Sequence, residues 1–177
     1  MEKKVKVAAA VGVIAVACVV LFAAIFLMGS KAPYDGPNSE HIGKYASYSV
    51  TGTYDNMPYN GTYKISVIGA SPEGIQCQYT LQIPQMPAFN KTETFWVPVN
   101  EESSGLFSGM YEDAVSLGTG PVTALGKTWS GASTYMVKLG ETEGVKIWVH
   151  SGMIFRMDLP LEDNPPIVCT LTATNII

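Results

Sequence analysis

Residues 75–83 alternate without interruption. Ile75, Cys77, Tyr79, Leu81 and Ile83 are apolar, and Gln76, Gln78, Thr80 and Gln82 between them are polar. Successive side chains on a β-strand point to opposite faces, so the pattern describes a strand with one buried side and does not fit a helical period. The same rule organises most of the chain. Tyr48, Val50 and Tyr54 alternate with polar residues, as do Tyr63, Ile65 and Val67. So do Tyr135, Val137 and Leu139, then Val145, Ile147 and Val149, then Met153, Phe155, Met157 and Leu159, and last Ile167, Cys169, Leu171 and Ala173. Turn residues separate these runs at Ser71-Pro-Glu-Gly74, Gly140-Glu-Thr-Glu-Gly144 and Ser151-Gly152. Short links imply antiparallel neighbours. The expected fold is mainly β: about seven to nine antiparallel strands in a curved sheet, an open barrel or a sandwich. Residues 100–121 are the least regular, and Tyr111 to Leu117 reads as a short helix.

One hairpin can be read to its register. If His150-Ser-Gly152 is a three-residue loop, Gly takes the left-handed position that such loops favour, Trp148 faces Ile154 and Lys146 faces Arg156. If the loop is Ser151-Gly-Met153, Lys146 faces Asp158 and Trp148 faces Arg156, which are attractive pairs. Turn chemistry favours the first register. In both, Lys146, Trp148, His150 and Arg156 fall on the outer face.

A second constraint lies at the start. Residues 1–6 are basic, and Val7 to Met28 is an apolar run without a charge or a proline. About 22 residues at ~1.5 Å rise cover ~33 Å, enough to cross a bilayer's hydrocarbon core as a helix. Lys3, Lys4 and Lys6 place the N-terminus in the cytoplasm and the rest outside it, extracellular or periplasmic. Length favours a retained anchor over a cleaved signal peptide. The expected organisation is therefore a cytoplasmic N-terminus at 1–6, a transmembrane helix at 7–28, a Pro- and Gly-bearing stalk at 29–43 and an extracytoplasmic β domain at 44–177.

Two cysteines, Cys77 and Cys169, lie in that domain, both on apolar faces, and an oxidising compartment makes a disulfide between them the expectation; buried free thiols are the alternative. Asn60-Gly-Thr62 and Asn90-Lys-Thr92 are glycosylation sequons, which matter only in a host that glycosylates. The net charge of -4 and the lack of a basic cluster argue against nucleic acid as a partner. No zinc-protease, nucleophile-elbow, Cys-x-x-Cys or phosphate-loop pattern occurs, so neither a catalytic residue nor a metal or cofactor is assigned. A hydrolase would need a Ser/His/acid cluster around His150.

Large aromatics stand opposite the apolar faces of their strands at Trp96 and Trp148. With His150 and Arg156 they form the candidate surface for an apolar ligand or a cell-surface partner. A pilin-like structural subunit is the alternative. Here Lys6 is followed by Val7, and no acid comes before Asp35, which departs from the pilin pattern. The run Val122-Thr-Ala-Leu-Gly-Lys-Thr-Trp129, the strand through Tyr135, then Val145-Lys-Ile-Trp-Val149 and Gly152-Met-Ile-Phe-Arg156 resembles extracytoplasmic β-sheet proteins of the lipoprotein-carrier (LolA-like) type and their membrane-anchored relatives. The resemblance covers about a third of the chain and implies a curved antiparallel sheet with an apolar ligand. This chain departs from the carriers in its N-terminal helix and in lacking clear lid helices.

Overall fold

The computed structural model describes residues 39–54, 56–98, 114–137, 144–151, 153–161 and 164–176. The expected membrane helix, the first part of the expected stalk and Tyr111 to Asp113 lie outside these. Among the described residues no helix is long and apolar enough to cross a membrane.

Among the described residues nine strands succeed one another: β1 (Tyr45–Tyr54), β2 (Met57–Ser71), β3 (Gly74–Gln82), β4 (Lys91–Pro98), β5 (Val115–Ala124), β6 (Lys127–Val137), β7 (Val145–His150), β8 (Met153–Leu161) and β9 (Asn164–Thr174). They form one antiparallel sheet in the order β4-β3-β2-β1-β9-β8-β7-β6-β5. Each strand thus neighbours its successor, except that β4 and β5 stand at opposite edges and the first and last strands pair in the middle. This joins a four-strand meander to a five-strand one. The sheet is open, with β4 and β5 at its edges. The expected short helix at 111–117 is corrected at its described end: Val115 and Leu117 belong to β5, held on β6 through pairs such as Val115 with Met136. A local reading of residues 111–117 could not include that partner.

Two-residue turns close several of the hairpins. Asn56 lies between paired Tyr54 and Met57, and Leu125-Gly126 between paired Ala124 and Lys127. Asn56, Leu125 and Gly126 have φ of 64°, 54° and 72°, the left-handed values that tight hairpin turns demand. A short 3-10 turn at Ser39–His41 and the residues after it are docked on β2: Gly43 N–H donates to the Val67 carbonyl at 2.9 Å, and Val67 N–H donates to the Lys44 carbonyl at 2.9 Å. His41 is buried there. The last residues of the expected stalk thus lie against the sheet.

The alternation of the sequence becomes the core. Val50, Ile65, Ile75, Leu81, Ile147, Met157, Ile167 and Leu171 are all at most 2 % exposed. Four rings, Tyr48, Tyr63, Tyr79 and Phe95, run across β1 to β4 with centroid separations of 6.2, 5.9 and 6.4 Å. Such contacts add to the burial of the rings themselves. The five-strand half curls: Leu125 N–H reaches the Leu171 carbonyl of β9 at 3.0 Å, and the Trp129 ring meets Phe155 edge-on at 5.0 Å. Tyr48 donates its hydroxyl to the Ile154 carbonyl at 3.1 Å, tying β1 to β8 across β9.

Both cysteines are buried and free, so the expected disulfide is not formed. They point inward as expected, but Cys77 is on β3 and Cys169 on β9, with β2 and β1 between. Three strand spacings in a flat sheet amount to ~14 Å, well beyond the reach of a bridge. Burial pushes the Cys77 thiol up to about 12.

Candidate functional site

The β7–β8 hairpin takes the strand pairs of the second expected register but the turn of neither. Lys146 pairs with Asp158 and Trp148 with Arg156, the charge-matched arrangement, yet His150 pairs with Met153 around a two-residue turn in which Ser151 takes φ of 51°. A β-bulge reconciles the two: Val149 pairs with Ile154, which leaves Phe155 as the extra residue on β8. The preferred register, with Lys146 facing Arg156, is therefore overturned. The bulge lets the strands keep attractive pairs while the turn closes tightly.

The four residues expected to share a surface do not all come together. Trp148 is half-buried between two cations, with Lys146 Nζ 4.8 Å and the Arg156 guanidinium carbon 4.9 Å from its ring centroid. Arg156 is in turn held by a bidentate pair with Asp158, at 2.7 and 2.9 Å. Its charge and the Trp148 ring are thus already satisfied within the domain. His150 does not join them. Its ring packs against Trp129 at 5.2 Å and against fully buried Phe155 at 5.4 Å. Among the described residues no hydroxyl or carboxylate is hydrogen-bonded to it, and no group of three His, Cys, Asp or Glu is placed to hold a metal. Trp96 lies six strands from Trp148, roughly 29 Å across a flat sheet. It is on edge strand β4, opposite Gln76, and is 55 % exposed.

The sequons are on the surface. Asn60 is exposed on β2, and Asn90 is exposed beside β4, its side-chain oxygen accepting the Ile83 N–H at 2.7 Å.

The polar half of the alternation assembles into something the sequence did not announce. On the face opposite the core, residues paired across neighbouring strands form three rows. One runs Ser47, Lys64, Thr80, Thr92; the next Tyr45, Ser66, Gln78, Thr94; the third Thr170, Ser49, Thr62, Gln82. Within a row the groups recur at ~4.8 Å, and the rows lie ~7 Å apart. A bulge on β9 adds Thr172, which donates its hydroxyl to the Ser47 carbonyl at 3.0 Å. Of these, Ser47, Thr62, Lys64, Ser66, Gln78, Thr80, Gln82 and Thr172, together with Tyr48, line a shallow depression of about 460 Å³. Its single charged lining residue is Lys64, whose Nζ stands 5.1 Å from the centroid of the Tyr45 ring. Trp96 sits on the same face at the margin, diagonal to Gln78. The signal available in the sequence was the run of Ser, Thr and Gln at every second position. Read strand by strand, it describes only a solvated face.

The fold and this face together define a β-sheet domain with two unlike sides: an open, nine-stranded antiparallel sheet, sealed and apolar on one side, grooved and polar on the other. No family model and no curated protein matches the chain. Among solved structures it is similar to MucB in complex with MucA(peri) and to MucB alone, each at 10% identity and TM-score 0.40. These similarities cover 78% and 79% of this chain and 52% and 55% of those chains, so the chain spans about half the length of the structures it matches. Of the segments that resemble lipoprotein carriers, Val122 to Trp129 forms the turn end of the β5–β6 hairpin, Tyr135 lies in β6, Val145 to Val149 in β7 and Met153 to Arg156 in β8.

Proposed function

We propose that this chain is a membrane-tethered, extracytoplasmic binding domain that recognises its partner on the polar outer face of the sheet. The observation that carries the reading is the groove of β9, β1, β2 and β3 with exposed Trp96 at its margin. A large aromatic left in water beside ordered polar groups offers both contact area and hydrogen bonds at low entropic cost. The tether rests on the apolar run at 7–28 and the lysines before it. The apolar-ligand reading is weaker, because Met153, Phe155 and Met157, the side chains that would line such a site, are at most 2 % exposed.

A structural role draws on a different observation. Val115 and Leu117 are 58 % and 49 % exposed on edge strand β5, where another chain could add a strand. Concentration-dependent oligomers in mild detergent would favour it.

Two measurements test the main reading. Protease added to cells stripped of any outer barrier, with the cytoplasmic membrane left intact, should digest the β domain; full protection would refute the orientation. A native mass spectrum of the full-length protein should show the bare chain. An apolar mass that departs on denaturation would restore the inner face as the binding site.

A further inference from the structure

We infer that the outer-face groove binds an acidic oligosaccharide, with Lys64 meeting a carboxylate of the sugar and Trp96 stacking on a sugar ring. The inference rests on the outer-face reading above and names the class of partner.

The lining chemistry selects among ligands. An apolar molecule seated here would strip water from hydroxyls and carboxamides and return no hydrogen bonds, which is costly for every group left unmade. A hydroxyl-rich ligand replaces those bonds with water one for one. Gln78 and Gln82 can each donate and accept through one carboxamide, and Thr62 and Thr80 through one hydroxyl. Nucleic acid is disfavoured because one lysine cannot neutralise a run of phosphates. A peptide strand adds at a sheet edge through backbone bonds, whereas this groove lies in the middle of a face whose backbone is already paired.

The charge pattern makes the choice narrower. The groove is lined by no carboxylate, and Lys64 has no acidic partner among the described residues. On the adjoining edge strand, Glu93 pairs with Tyr79 on the core side of the sheet, bound to Lys91 at 2.6 Å and to the Tyr79 hydroxyl. Arg156 further along the sheet is neutralised by Asp158. Lys64 is thus the cation of this groove left for a ligand, and its stem is steadied by Tyr45. Trp96 supplies the remaining element: a flat apolar ring, exposed, one diagonal step from Gln78. Sugars present C–H faces to such rings and hydroxyls to their surroundings. The polar rows give an extended ligand several equivalent contacts in succession, which suits an oligomer better than a single sugar.

The test uses the full-length chain in a detergent without a sugar headgroup. It is titrated calorimetrically with tetragalacturonic acid and with the neutral galactose tetramer. The acidic oligomer should bind about tenfold more tightly than the neutral one, as one charge-assisted contact implies. Lys64→Gln should erase that difference while leaving the neutral sugar unaffected. Trp96→Ala should weaken both by roughly tenfold or more. Both side chains are exposed, and unchanged circular dichroism would show that the variants fold. Raising the salt should weaken only the acidic ligand. No heat with either sugar at millimolar concentration would overturn the inference, as would binding that survives both substitutions. A photo-crosslinking residue at Gln78 separates this failure from that of the broader reading. If it captures one discrete protein on intact cells while no sugar binds, the outer face remains a recognition surface and the sugar inference falls.

Discussion

Gly61 offers the sharpest check of how the sheet is put together. It lies on β2, paired with Val50 of β1, and the end of β3 crosses beside it. A methyl group there would stand 2.6 Å from the Gln82 carbonyl oxygen and 2.9 Å from Ile83 Cγ1. Both distances are below 3.0 Å, where side-chain carbons are essentially never found. The closer atom is backbone, and Ile83 is 1 % exposed, so neither can swing away cheaply. Forcing a methyl into a filled site costs about 1–3 kcal/mol. Against this, replacing glycine with alanine restricts the unfolded chain and returns about 0.4–1 kcal/mol. Gly61→Ala should therefore destabilise the protein by roughly 1–2 kcal/mol. Gly120 on β5 is the control: its φ is unstrained and a methyl would meet nothing within 4 Å. Gly120→Ala should show only the gain of about 0.4–1 kcal/mol. Urea unfolding monitored by tryptophan fluorescence would read both. With a slope near ~2 kcal/mol per molar, Gly61→Ala should lower the midpoint by about 0.5–1 M and Gly120→Ala should raise it slightly. A midpoint for Gly61→Ala at or above that of the parent would refute the packing of β2 against the end of β3.

Other consequences can be measured on the same material. Phe155→Ala removes the fully buried bulge residue and its contacts with Trp129 and His150, and should cost ~3–5 kcal/mol in the same urea assay; a loss under about 1 kcal/mol would mean the site is not sealed. Burial holds the Cys77 thiol and the Tyr59 hydroxyl up at about 12, against ordinary values of 9.0 and 10.0. Between those values each group is protonated in the folded chain while the unfolded chain has already lost its proton. Stability should fall as pH rises from about 9 towards 12, by ~1.4 kcal/mol per pH unit for each group in its window, and Cys77→Ala should remove the earlier part of the fall. Both thiols should resist alkylation in the native protein and react fully in urea without reductant; an intact mass two hydrogens light would show a bridge instead.

Much of this fold was legible in one dimension. Which residues of 75–83 face inward can be read from the alternation alone, because the two-residue period of a strand is a local property of its backbone. The same holds for the inward direction of Cys77 and Cys169, for Trp96 standing opposite Phe95 and Val97, and for the turn at Ser71 to Gly74. Three things were decided only by the tertiary structure. Alternation says which face a residue takes but not which strand lies beside it, so the pairing of β1 with β9, and with it the separation of the two thiols, could not be read. A single extra residue shifts the register of every residue beyond it: the bulge at Phe155 set His150 opposite Met153, and the His150 ring packs on Trp129 and Phe155. The groove is the third. Ser47, Lys64, Thr80 and Thr92 are distant in sequence and meet only because four strands register them side by side, and that lateral register is a property of the assembled sheet rather than of any strand within it.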